Sequence, residues 1–130
     1  MGQDRNAGNT GDQLKHSLTV EVLMSCLNWP TITYAETHAG AGCFDAHAQS
    51  EEGKAHITDL KALVATQEAV QSQVAGGRYH ELLTNWWSET CNAATYPGSV
   101  VQSAIILDER RQELPHADFR VTGCDANDGV

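Results

Sequence analysis

The chain has 130 residues, 41% of them hydrophobic, which is enough for one domain with a real core and too few for a large two-domain enzyme. The apolar residues are spread along its length, which excludes a disordered acidic tail, and no apolar run nears the roughly 20 residues that a membrane span needs. The net charge is −9, with eight Lys and Arg and no basic cluster larger than Arg110-Arg111, which argues against a nucleic-acid surface, whose affinity rests on neutralising phosphates.

The N-terminal stretch "MGQDRNAGNTGDQ" is polar and does not read as a secretory signal. Asn6 stands where a myristoylation signal wants Ser or Thr. "GDQLKHSLTVEVLMSCLNW" predicts a helix: Asp12 suits its N-cap, Leu14, Leu18, Val22 and Cys26 recur every four residues, and Pro30 stops it. "TITYA" is β-branched and aromatic, and reads as a short buried strand. A second helix is expected from about Ile57 to Val74, with Leu60, Leu63, Val64 and Val70 on its apolar face and Gly76-Gly77 ending it. "YHELLTNWWSETC" predicts a third, on which Trp86 and Trp87 join Leu82 and Leu83 in an apolar patch. "TYPGS" reads as a turn in which Ser99 caps the next element. Periodicity leaves "VVQSAIIL" open between helix and strand, "DERRQEL" looks helical, and "DFRVTGCDANDG" predicts a strand ending at Asp125. Helices alternating with strands favour an α/β class with a parallel sheet.

The cysteines, Cys26, Cys43, Cys91 and Cys124, lack zinc-knuckle spacing and read as reduced thiols of a cytoplasmic protein. Cys43 and His47 could share a helix face as metal ligands, or pair as nucleophile and base, but no third group accompanies them.

The chemistry concentrates in "TYAETHAGAGCF". Ligands of open α/β sheets bind at the carboxyl ends of strands, and Gly40 and Gly42 would turn the chain there and expose backbone N–H groups. Asp45 breaks G-x-G-x-x-G, and no Gly-Lys-Ser/Thr occurs, so neither a dinucleotide nor a phosphate is the natural ligand. Glu36, beside the loop, can accept from an ammonium group such as the methionine end of S-adenosylmethionine.

"NAGNTGDQLKH", "YAETHAGAGCF", "YPGS" and Arg120-Val121 followed by Asp125 occur in that order. This set resembles the bacterial 23S ribosomal RNA adenine-N6 methyltransferase family, over the front half of its catalytic domain. The resemblance implies a partial Rossmann-like class I methyltransferase domain, with a helical insertion at about 52–95 after the glycine loop, and S-adenosylmethionine as cofactor. It carries His16 and His38 over to the cofactor pocket, Gly40 and Gly42 to the glycine loop, Ser99 to the methionine end and Asp125 to the adenine. Lys15, beside His16, becomes the candidate at the reacting centre.

Three departures accompany the match. "MGQDRN" lacks the family's leading Tyr-x-His. The span from Ser99 to Arg120 is short for a helix, the ribose-binding strand and another helix, so "AIILDE" is expected to be a compressed strand that ends on the ribose acid at Glu109. The Asp/Asn-Pro-Pro-Tyr/Phe motif that orients the exocyclic amine is missing, because the three prolines are never adjacent. The expectation is the front half of an RNA adenine methyltransferase whose partner is ribosomal RNA. Half a parallel sheet needs cover, from a second copy or from a C-terminal half. The alternatives are a methyltransferase for a small molecule or protein, and a cofactor-binding fragment without catalysis.

Overall fold

A computed structural model describes residues 8–37, 40, 42–45, 51–71 and 77–124. Helix α1 (Thr10–Cys26) leads into strand β1 (Thr31–Glu36), and β2 (Cys43–Asp45) follows the glycine loop. Helices α2 (Glu51–Gln71) and α3 (Gly77–Ser88) and a short 3₁₀ turn (Thr90–Asn92) come next. Strand β3 (Thr95–Pro97), helix α4 (Ser99–Glu113) and strand β4 (Asp118–Gly123) complete the described order. It is an α/β arrangement in which β1 and β4 form a parallel pair, Thr31 opposite Asp118 through Glu36 opposite Gly123, while β2 and β3 pair antiparallel.

Helix α1 starts one turn earlier than its acid suggested. Asn9 is the N-cap, accepting from the Asp12 N–H at 2.9 Å, and Asp12 in turn accepts from the Gly8 N–H at 3.1 Å. One orphan amide of the first turn and the amide just ahead of the cap are thereby satisfied. The four-residue repeat does not mark the packed face. Leu14, Leu18 and Val22 are exposed, whereas His16, Val20 and Leu23 on the opposite side are buried against α3 and α4. Both sides of α1 are apolar, so the pattern alone cannot say which side faces inward.

The core joins Val20 and Leu23 of α1, Ile57, Leu60 and Val64 of α2, Tyr79, Leu82 and Leu83 of α3, and Ile106 and Leu107 of α4. Ile32 and Phe119 close it from the sheet. Leu63 is partly exposed, and Gly77 opens α3, with its partner Gly76 outside the described residues. Trp86 and Trp87 are half-buried, their indole N–H groups donating to Thr95 Oγ1 at 3.0 Å and the Thr95 carbonyl at 2.6 Å. "VVQSAIIL" is helical: its buried residues Gln102, Ser103, Ile106 and Leu107, with Ser99 just before it, recur at three- and four-residue spacing.

Strand β1 is half-buried and not buried throughout. Ile32, Tyr34 and Glu36 face inward, while Thr31, Thr33 and Ala35, with Asp118, Arg120 and Thr122 of β4, form an open face. The uncovered side of the sheet is therefore polar and small, and the exposed apolar surface lies on α1 instead.

Candidate functional site

The inward alternation of β1 sets Tyr34 and Glu36 on one face, and Glu36 ends the strand at its carboxyl end. Two other elements reach the same carboxylate. Glu36 Oε1 accepts from Lys15 Nζ of α1 at 2.9 Å, and Oε2 accepts from the Tyr34 hydroxyl at 2.7 Å and from the Ser99 hydroxyl of α4. The Glu36 side chain is only 11% exposed, against 51% for Lys15. Burial pushes the Glu36 carboxyl up, and the hydrogen bonds from Ser99, Lys15 and Tyr34 more than offset it, so it ends below its ordinary value. Burial, reinforced by the carboxylate it donates to, raises the Tyr34 phenol.

The glycine loop and the Y-P-G-S turn form one unit. Gly42 has φ 80, a left-handed conformation that suits glycine, and its carbonyl accepts from the Gly98 N–H at 2.6 Å. A Cβ on Gly98 would sit 2.7 Å from that carbonyl oxygen, so only glycine allows the two segments to come this close. Pairing of Cys43 with Pro97 continues the contact into β2 and β3. Gly98 is the N-cap of α4, and Ser99 is the first helical residue. The sequence assigned the cap to Ser99, but with Gly98 capping through its backbone, the Ser99 hydroxyl is released to Glu36. Gly40 (φ 67) lies in the same loop.

His16 lies beneath this unit, almost fully buried. Its Nδ1 is 2.6 Å from the Tyr96 hydroxyl and 3.2 Å from Gln102 Nε2, and the Tyr96 hydroxyl is 2.9 Å from that of Tyr79. Gln102 Nε2 also donates to the Pro97 carbonyl at 2.8 Å. Burial lowers the basicity of His16 and makes both tyrosines harder to ionise, so all three stay uncharged near neutrality.

Of the residues that sequence singled out, Lys15, Glu36 and Ser99 are in mutual contact through the carboxylate, and Gly42 adjoins Ser99 through Gly98. Glu109 is elsewhere. It lies on α4, exposed and ion-paired with Arg78 of α3, because the segment read as a compressed strand is helix. His38 and Asp125 lie outside the described residues, as does His47. The four cysteines are unbridged, and no group of three or more His, Cys, Asp or Glu among the described residues could hold a metal ion. No described helix is long and apolar enough to cross a membrane. Sequence reasoning passed over Tyr34, Tyr96 and Gln102. Period-two alternation from Glu36 signals the first, membership of Y-P-G-S the second, and the helical i+3 step from Ser99 the third.

No family model matches the chain, and no curated protein or solved structure matches it either.

Proposed function

We propose that this chain carries the methyl-donor half of an S-adenosylmethionine-dependent methyltransferase acting on N6 of adenine in large-subunit ribosomal RNA. The observation that carries the reading is the convergence of Lys15, Glu36 and Ser99 at the carboxyl end of a parallel strand, beside the Gly42–Gly98 contact. These residues come from separate stretches of chain; the family resemblance selects Lys15 and Ser99, and the reading of the strand end beside the glycine loop selects Glu36.

The chemistry of the set fits the ligand's amino-acid end. Lys15 spends one of its three hydrogens on Glu36, leaving donors for a carboxylate. Glu36 accepts three donors of about four that its oxygens can hold, leaving a place for an ammonium. The pair is thus complementary to a zwitterion. When bound, S-adenosylmethionine supplies an electrophilic methyl group on sulfur. The chain's own residues bind and orient: Ser99 and Tyr34 hold the carboxylate in place, and the backbone cradle of Gly40 and Gly42 gives close approach. Catalysis in such a transfer rests on positioning.

A second reading, a small-molecule or protein substrate, is favoured by the net charge of −9. Calorimetric titration with S-adenosylmethionine tests the common part. Binding should weaken about 10- to 100-fold in Glu36→Gln, the scale of a hydrogen bond to a charged group. No heat with the wild-type chain would sink both readings. Methyl incorporation into unmodified ribosomal RNA, and not into protein extracts, selects the first.

A further inference from the structure

We propose that Gln102 and Tyr96 are positioning residues that hold His16 as the neutral Nε2–H tautomer, so that His16 meets a ligand as a hydrogen-bond donor and not as a base. The Pro97 carbonyl can only accept, so the atom of Gln102 that lies 2.8 Å from it must be the amide nitrogen. That settles which way the amide faces. The second hydrogen of the same NH₂ group is then available to His16 Nδ1 at 3.2 Å. An amide nitrogen donates and does not accept, so Nδ1 has to be bare. Nδ1 has one lone pair, so the Tyr96 hydroxyl at 2.6 Å is its main donor and the amide at 3.2 Å the longer branch of a shared bond, and the Tyr96 oxygen is left to accept from Tyr79 at 2.9 Å. The ring's one proton sits on Nε2.

A cost supports this assignment. Gln102 Oε1 is buried and finds no hydrogen-bond partner among the described residues. Flipping the amide would bring that oxygen against the Pro97 carbonyl, acceptor on acceptor, which is worse than one orphan. Protonating His16 would set an N–H against the Gln102 N–H. The charged groups around the ring divide: Asp12 of α1 and Glu36 of β1 favour protonation, Lys15 of α1 opposes it, and the burial shared with Tyr96 of β3 and Tyr79 of α3 outweighs them. The consequence for a ligand rests on the methyl-donor reading of the site. A group placed against His16 should be an acceptor, such as a carboxylate or hydroxyl oxygen.

The test is a long-range ¹H–¹⁵N spectrum of the full chain with labelled histidine, free of ligand. His16 should show a bare Nδ1 and a protonated Nε2, and should titrate below 6.5. Gln102→Met, of similar size without a donor, should raise the share of the Nδ1–H form about tenfold, the scale of one lost hydrogen bond. A wild-type proton on Nδ1 overturns the inference, as does a folded Gln102→Met spectrum identical to wild type. If that variant does not fold, the wild-type spectrum decides alone. Absence of S-adenosylmethionine binding with the expected spectrum would overturn the methyl-donor reading while supporting the tautomer.

Discussion

Two buried titratable groups make the site sensitive to acid. His16 is less basic folded than unfolded, so the unfolded chain binds more protons as pH falls below 6.5, and stability declines from there toward its folded value. Glu36 is more acidic folded than unfolded, so its contribution is whole above 4.5 and is lost as pH falls further, toward its folded value. Both groups act in the same direction, in two successive windows. Urea melts between pH 7 and 4 should show stability dropping first below 6.5, and His16→Gln should shrink that first step, with burial of His80 supplying the remainder, while leaving the one below 4.5. An unchanged profile in the variant would mean that another group titrates there. The tyrosines act at the other extreme: Tyr79 and Tyr96 are harder to ionise folded than unfolded, so their stabilisation is lost only above pH 10.

Elements are positioned by two features that sequence shows unequally. The glycines of the loop and turn were legible as glycines, but only the fold shows that Gly98 and Gly42 touch. Gly98→Ala should cost about 1–3 kcal/mol, because its Cβ meets backbone that cannot yield easily. Gly42→Ala has room, with its nearest neighbour Val101 Cγ2 at 3.9 Å, and should cost about 1–2 kcal/mol for its left-handed backbone alone. Measured denaturation curves would separate the two, since Gly98→Ala should also weaken Ser99's hold on Glu36 and Gly42→Ala less so. Helix α1 is the opposite case. Its helical character was readable, but its buried side was not, because Leu14, Leu18 and Val22 repeat as regularly as the residues inside. Leu23→Ala should therefore cost about 2–5 kcal/mol and Leu18→Ala no more than about 0.5 kcal/mol. Equal losses would mean that the outer face is covered in solution. "AIILDE" failed as a strand for the same reason: an apolar run carries no period until its neighbours decide which residues face them.

At the scale of the whole molecule, charge decides what the chain can hold without help. Lys15, Lys54, Arg78, Arg110, Arg111 and Arg120 each pair with a carboxylate, and Lys61 donates to the Ala93 carbonyl and lies over Trp87. The described cations thus each have a partner within the molecule, and the chain as a whole carries a net charge of −9. A protein that binds RNA through phosphates releases counterions, and its log affinity falls with log salt at about 0.7 per phosphate on a single strand. Nothing on the described surface gathers enough free cations for several such contacts. Fluorescence anisotropy with a labelled ribosomal RNA stem-loop should therefore give weak binding and a salt slope of magnitude about one or less. A steep slope would show that the ion-paired lysines and arginines exchange their carboxylates for phosphates, and would favour ribosomal RNA over a small molecule or protein as the substrate. A flat slope combined with tight S-adenosylmethionine binding would place RNA recognition on some other surface and leave this chain as the donor-holding part. The two measurements together separate the pocket from the partner, which neither the carboxylate cluster nor the net charge can do alone.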